Sequence, residues 1–263
     1  MIDKIYVVWH HSNQLDDMIH RLAQTFPDID VEPIQGPYGS SDYFVEVELP
    51  ESGYTPVANW KLTDGENPIT YVGDDAYSWE RYDRMALEWD GDKRSRDHKY
   101  GELASGIAHH RAWEQAKKDG VKKALILEQD ADLLPEHPVK IKQYLDTVDD
   151  FDVMYLGNCI ASVGIHKEVY TNIVEPNFLY CLHAYILTDT GIDKLLEEFK
   201  DNLCVADEYI PSKFINRSDR VHPSLRHLKN NVKAYAIHPR MIQQIRKDES
   251  GSSTEFTDYY NPL

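Results

Sequence analysis

Glu128, Asp130 and Asp132 stand two residues apart where the run Ala124-Leu-Ile-Leu-Glu-Gln-Asp-Ala-Asp-Leu-Leu-Pro135 turns from apolar to acidic. Side chains of an extended segment alternate faces, so a backbone that stays extended past Leu127 would crowd all three carboxylates onto one side. Like charges held that close repel unless a cation sits among them. Mg²⁺ and Mn²⁺ take such oxygen ligands and leave coordination positions open for substrate phosphates, so the stretch is a candidate seat for a metal-bound diphosphate. A solvated acidic turn that closes a strand fits the same residues.

Trp9 and His10 are a second candidate. They follow the apolar run that opens the chain, at the carboxyl edge where open α/β sheets bind ligands. Their rings suit stacking on a base or ribose, or capping the core. His109 and His110 are neighbours in a helical segment, so their side chains diverge by about 100° and cannot chelate one ion together. His110 and Arg111 are expected at the solvated surface.

The elements that must hold these residues show in the periodicity. Ile5 to Trp9 reads as a buried parallel strand, Leu15 to Phe26 as a helix with Met18, Ile19, Leu22 and Phe26 on one face, and Val31 to Ile34 as a second strand. A β-α-β opening points to an α/β fold with a right-handed crossover. Residues 36–97 break the rhythm with scattered Gly, Pro, Asp and aromatics, Trp60, Trp79 and Trp89 among them. Within them Phe44 to Leu49 alternates like a strand, and Trp79 to Trp89 has room for a short helix. This insertion fits an acceptor-binding lobe whose aromatic faces stack on sugars or bases, and also an irregular subdomain with its own small core.

Regularity returns at Gly101, where Leu103, Ile107, Ala108, Ala112 and Ala116 share a helical face and Asp119-Gly120 supplies a stop. Strand Ala124 to Leu127, helix Val139 to Tyr144, strand Phe151 to Leu156, strand Leu179 to Thr188, helix Gly191 to Phe199 and a last strand Val232 to His238 follow. A polar, flexible tail is expected from about residue 247, and one α/β domain over residues 1–263.

Of the 263 residues 41% are hydrophobic and 28% charged, as in soluble globular proteins. The net charge of -17 disfavours electrostatic capture by nucleic acid or an anionic membrane. A phosphate-bearing substrate would need a metal or a local basic cluster to be attracted. No segment approaches the length of a membrane span, and the apolar run at the amino terminus is too short for a signal peptide. Cys159, Cys181 and Cys204 form no close pair, so neither a disulfide framework nor a zinc spacing is visible, and a reducing, cytoplasmic setting is expected.

Gly101-Glu-Leu-Ala-Ser-Gly-Ile-Ala-His109, Trp113 four residues on, and the strand end Leu127-Glu-Gln-Asp130 resemble glycosyltransferase family 25, which includes bacterial lipooligosaccharide galactosyltransferases and collagen galactosyltransferases. Further blocks agree in order: Asp152-Val-Met-Tyr-Leu-Gly157, then Ala184-Tyr185 with Gly191 and Leu195, then Asp207-Glu208 ahead of Pro239 and Gln243. The likeness spans roughly residues 100 to 245 and the opening strand. It departs at Ala104, Ser105, Ala108 and Gln129, where the family has Gly, Cys, Ser and Asp, and at Trp9-His10-His11, where the family opens with Asn-Leu.

The resemblance implies a GT-A type nucleotide-sugar-binding fold, with a central mostly parallel sheet flanked by helices. It implies an inverting, metal-dependent transfer of a sugar from a UDP-sugar to the hydroxyl of a glycan, a hydroxylated peptide or a hydroxylated nucleobase. By the same likeness Asp130 and Asp132, with His238 as a third ligand, hold Mn²⁺ or Mg²⁺, and Glu128, Asp130 and His109 line the donor site with Trp9 and His10. Asp207, ahead of Glu208, takes the acceptor proton; the pair also fits acids placed at a helix N-terminus. Competing readings are a phosphoryl-transfer or nuclease-like enzyme on the same acidic cluster, and a non-catalytic carbohydrate-binding relative.

Overall fold

The computed structural model describes residues 1–10, 12–39, 41–57, 60–61, 95–96, 100–159, 167–176, 179–215, 221 and 225–245. The apolar run at the start forms β1 (Lys4–Trp9), which pairs in parallel with β2 (Asp30–Gln35) through the crossover helix α1 (Ser12–Thr25). Met18 and Leu22 of α1, followed by Phe26, bury the apolar stripe against Ile5 and Val7, as the 3.6-residue period requires.

Phe44 to Leu49 is not a strand. It forms a π-helical turn, Phe44–Glu48, that runs into the short α2 (Leu49–Glu51). The Ser41 hydroxyl accepts from Phe44 N at 3.1 Å, Phe44 enters the core, and Glu48 accepts from Arg111 at 2.7 Å. A lone strand would have left its backbone groups without a ladder, whereas the helical turn satisfies them locally. Two short pieces, β3 (Trp60–Lys61) and β4 (Ser95–Arg96), pair antiparallel. The helix expected over Trp79 to Trp89, the side chains of Trp60, Trp79 and Trp89, and the tail lie outside the described residues.

Helix α3 (Tyr100–Asp119) ends at Gly120, whose φ of 69° is left-handed. There follow β5 (Lys123–Glu128), β6 (Ala131–Asp132), α4 (His137–Thr147), β7 (Val153–Cys159), β8 (Lys167–Tyr170), β9 (Ile173–Glu175), β10 (Tyr180–Thr188), α5 (Asp189–Phe199), α6 (Ala206–Ser212), β11 (Ala234–Ile237) and β12 (Gln243–Gln244). The hairpin β8–β9 and the strand β12 beyond β11 are absent from the periodicity reading because each is two to four residues long.

Eight strands form one sheet in the order β2-β1-β5-β10-β7-β11-β9-β8. Strand β1 is parallel to β2 and β5, and β7 to β11, while β10 runs antiparallel to both β5 and β7 and β9 antiparallel to β11 and β8. The sheet is therefore mixed, and with helices flanking it the architecture is α/β and consistent with a GT-A-like fold. Because β10 is reversed, its beginning lies at the same edge as the ends of β1, β5 and β7. One face packs on α3, α5 and α6 around Trp113, Tyr185, Phe199 and Tyr209. The other packs on α1 and α4 around Met18, Leu22, Ile141 and Leu145. Among the described residues no helix is long and apolar enough to cross a membrane.

Cys181 is disulfide-bonded, and Cys204 is free and buried. This corrects the reading of the cysteines as unpaired. The β7–β10 register sets Tyr180 opposite Cys159, a closeness that spacing along the chain conceals, so the cysteine count gives no argument for a reducing compartment.

A methyl group on Gly106 would lie 2.2 Å from the Cys204 carbonyl oxygen, a backbone atom that cannot swing aside. Gly106→Ala is expected to cost about 1–3 kcal/mol in chemical denaturation. Gly101→Ala has open space around it and should change stability by less than about 0.5 kcal/mol. Equal, small effects from both would contradict the close approach of α3 to the Cys204 segment.

Candidate active site at the carboxyl edge of the sheet

The chain does not stay extended past Leu127. Strand β5 stops at Glu128, Gln129 and Asp130 form a turn, and β6 takes up only Ala131 and Asp132. Gln129 N donates to the Val8 carbonyl at 3.0 Å, and the Gln129 side-chain oxygen accepts from His10 N at 2.7 Å. The turn thus fastens the end of β5 to the end of β1, and it sends the three acids to three different neighbours.

Glu128 meets α3, with its Oε1 3.1 Å from His109 Nε2. Asp130, 8% exposed, accepts from Gln244 Nε2 at 2.8 Å through Oδ2, while its buried Oδ1 has no hydrogen-bond partner among the described residues. Strand β12, which carries Gln244, pairs with β6 and closes on the turn through Ile245 N and the Asp130 carbonyl at 2.8 Å. Asp132 has a side chain 46% exposed and lies 3.8 Å from Arg21, which also donates to the Ala131 carbonyl at 3.1 Å.

Asp207 and Glu208 both lie in the first turn of α6, where acids are favoured by the backbone dipoles. Asp207 Oδ2 accepts from Cys181 N at 3.1 Å. Cys181 has a left-handed φ of 68°, an uncommon conformation for a residue with a Cβ, and that turn aims its N–H at the carboxylate. Burial pushes Asp207 up to about 7, and the charge of Glu128 adds to the push; His109 and the Cys181 N–H act against it. Burial likewise raises Glu128 and Asp130, and for Asp130 the Glu128 charge raises it further while Gln244 counteracts. Glu128 keeps 26% of its side chain exposed, so water screens part of its share. His109 is pulled down to about 4 by burial and is neutral near pH 7. Glu208 is buried, and its charge, with that of Glu102, helps raise the Cys204 thiol beyond the effect of burial alone.

One surface expectation is corrected, that of His110, while Arg111 keeps 39% of its side chain exposed, as expected of a solvated helix arginine. His110 is buried, stacked on Phe199 with ring centroids 5.2 Å apart, and its Nδ1 lies 2.8 Å from the Tyr54 hydroxyl. Arg111 binds Glu48 at 2.7 Å and the Gln35 carbonyl at 3.1 Å. Around His110 helix α3 is packed on the sheet and on Phe199 of α5, whereas Glu114, Lys117 and Lys118 face solvent further along it.

Trp9 and His10 do sit at the edge, half-buried. A methyl group on Gly36 would lie 2.2 Å from His10 Cε1 and 2.7 Å from Ala108 Cβ, so the His10 ring rests on Gly36 beside α3. His238 follows directly on the end of β11, with its N donating to the Asn172 carbonyl at 3.0 Å. Among the described residues no group of three or more His, Cys, Asp and Glu side chains is gathered to hold a metal.

Several residues of the site were not singled out by pattern. Trp113 Nε1 donates to the Tyr185 hydroxyl at 2.9 Å, and that hydroxyl lies 2.9 Å from His109 Nδ1. Trp113 and Tyr185 stood in recognisable blocks, but 72 residues separate them and only the sheet brings them together. Gln244 and Cys181 carried no signal at all.

Asp130 supplies a pH test. A carboxylate raised in the folded state holds its proton more tightly there than in the unfolded chain, so its burial costs nothing below the unfolded pKa, and stability is lost as pH rises through the folded value. Burial depresses His109, His110 and His183, each to about 4, which acts in the opposite sense, and this contribution cancels between two variants that share them. Metal-free Asp130→Asn should match the wild type near pH 4 and become more stable than it as pH rises through 7, by on the order of 2 kcal/mol. Urea denaturation at fixed pH measures this, and a pH-independent difference would refute the burial of that charge.

No family model matches the chain. Over 173 residues, 62% of its length, it is 24% identical to a protein of Acanthamoeba polyphaga mimivirus named procollagen lysyl hydroxylase and glycosyltransferase, and it spans 19% of that relative.

Proposed function

We propose that this chain is a metal-dependent glycosyltransferase that moves a sugar, with inversion, from a UDP-activated donor to a hydroxyl. The observation that carries the reading is the gathering of Glu128, Asp130 and Asp207 at the carboxyl edge of a mixed α/β sheet, with Asp130 Oδ1 buried and without a hydrogen-bond partner among the described residues. The relative's printed name supports glycosyl transfer and favours a hydroxylated peptide side chain as the acceptor class.

The residues fit a hard divalent cation shared with substrate phosphates. Asp130 offers an oxygen with no hydrogen-bond partner among the described residues, Glu128 lies close enough for its charge to be felt there, and Mg²⁺ or Mn²⁺ commonly uses one or two carboxylates plus phosphate oxygens. Asp130 would hold the ion. Asp132, already facing Arg21, ranks behind it, and His238 is the candidate for a further ligand. When bound, the cation neutralises charge on the departing diphosphate.

Asp207 takes the proton of the acceptor hydroxyl as that oxygen attacks the anomeric carbon and the bond from that carbon to the diphosphate breaks. Burial and the Glu128 charge bring its affinity for a proton near neutrality, where a base that must accept and later release a proton works best. Trp9 and His10 border the nucleotide end of this site. A phosphoryl-transfer or nuclease-like reading meets the charge of -17, which repels polyanions.

Calorimetry with UDP and Mn²⁺, together with a screen of UDP-sugars for hydrolysis and for transfer to hydroxylysine peptides, tests the reading. Asp130→Asn should weaken Mn²⁺-dependent UDP binding at least about tenfold, and Asp132→Asn by less. Wild-type affinity in Asp130→Asn would remove the ion from that residue. Asp207→Asn should keep donor affinity and lose roughly 10²–10⁴-fold in transfer. Transfer within a few fold of wild type would hand the base role to Glu208.

A further inference from the structure

Tyr185 and Trp113 are buried, and their polar atoms reach the site through a neighbour rather than by touching it. We infer that Tyr185, oriented by Trp113, is a positioning residue that fixes His109 as the Nε2–H tautomer and thereby aims one N–H at Glu128. The inference deepens the assignment of Glu128 to the donor site and rests on that reading.

The proton count decides the direction of each bond. An indole N–H only donates, so the Tyr185 oxygen accepts from Trp113 Nε1 at 2.9 Å. The hydroxyl then has one proton to give, and His109 Nδ1 lies 2.9 Å away. With Nδ1 accepting, the proton of the neutral ring sits on Nε2, which faces Glu128 Oε1 at 3.1 Å, a donor opposite an acceptor.

The other tautomer fails at both ends. It would aim Nδ1–H at an oxygen already accepting from Trp113 and leave the buried tyrosine proton without an acceptor among the described residues. It would also set a bare nitrogen against Glu128 Oε1, a clash of two acceptors whenever that carboxyl is ionised. An unmet polar group in a dry interior is costly, so the chain Trp113–Tyr185–His109–Glu128 reads in one direction only. Its effect on Glu128 is geometric: Oε1 is engaged by the imidazole, and Oε2 is the oxygen presented to a ligand. Partners of this kind, one step removed from the ligand, set the rotamer and the tautomer of the residue that touches it.

Nitrogen-15 NMR of histidine-labelled protein near neutral pH, with His109 assigned by its loss in His109→Gln, reads the tautomer directly. Wild type and Trp113→Phe should show a neutral His109 protonated on Nε2. Tyr185→Phe should show a mixture of tautomers, with UDP binding in the presence of Mn²⁺ weakened about tenfold and a melting curve that remains cooperative. A charged or Nδ1-protonated His109 in the wild type overturns the inference. So does a Tyr185→Phe variant with a pure Nε2–H ring and wild-type UDP affinity. If Tyr185→Phe does not fold, the wild-type and Trp113→Phe spectra decide alone. A protein that shows the expected tautomer but binds no UDP-sugar would sink the glycosyltransferase reading and leave the positioning of Glu128 intact.

Discussion

Three carboxylates from two segments, Glu128 and Asp130 after β5 and Asp207 of α6, lie at one end of a sheet and partly withdrawn from water, and the structure around them is arranged to make that tolerable. Each receives a donor from a different element: His109 of α3 for Glu128, Gln244 of β12 for Asp130, and the Cys181 N–H of β10 for Asp207. Water would hydrate each acid with several donors, so one donor apiece compensates only part of the desolvation. The remainder appears as raised proton affinity, and as an Asp130 oxygen that no hydrogen bond from the described residues reaches. A site held in this condition gains from any ligand that brings positive charge.

The rest of the fold supplies stiffness to that end. Trp113, Phe199 and Tyr209 pack with ring centroids 4.8 to 6.2 Å apart, in offset and edge-to-face arrangements that aromatic quadrupoles favour. Helices α3, α5 and α6 are thereby locked to one face of the sheet. Gly106 lets α3 press on the Cys204 backbone, and Gly191 lets α5 press on the Asp152 backbone. Asp152 in turn binds Lys194 at 2.6 Å, Thr190 at 3.0 Å and Lys233 N at 2.7 Å, which joins the entry to β7, the start of α5 and the entry to β11. Because β10 threads antiparallel between β5 and β7, its first residues reach the acids while its last residues lie at this far end. One strand spans the site and its anchor.

The long elements were legible because their patterns are long. The five apolar residues from Ile5 to Trp9, the stripe Met18–Leu22–Phe26 and the two-faced helix after Gly101 each repeat a period often enough to leave one interpretation. Phe44 to Leu49 misled because six alternating residues fit a strand as well as a helical turn, and the absence of a sheet partner is a tertiary fact. The acids after Leu127 misled for a similar reason. Their spacing would share a face only in extended backbone, and Gln129 bends the chain by bonding to Val8 and His10. Spacing along the chain also conceals what the sheet brings together. That applies to the Trp113–Tyr185 bond, to the pairing of Gln244 with Asp130, and to the contact between Cys181 and Asp207.

Gln129 shows how a departure from the resembled pattern can be coherent. The family pattern has Asp at this position; here an amide stands between Glu128 and Asp130. Its oxygen accepts from His10 N at 2.7 Å, a bond that a carboxylate could also make. A carboxylate, however, would add another negative charge to a cluster in which Glu128 already raises the proton affinity of Asp130 and Asp207. The shorter Asp side chain would also have to reach across one methylene less to close the same contact. Glutamine joins the ends of β1 and β5 without charge, and His10, so held, rests on Gly36 against α3. Gln129 therefore has a mechanical place on this turn, and Asp130 is the acid there whose Oδ1 has no hydrogen-bond partner among the described residues.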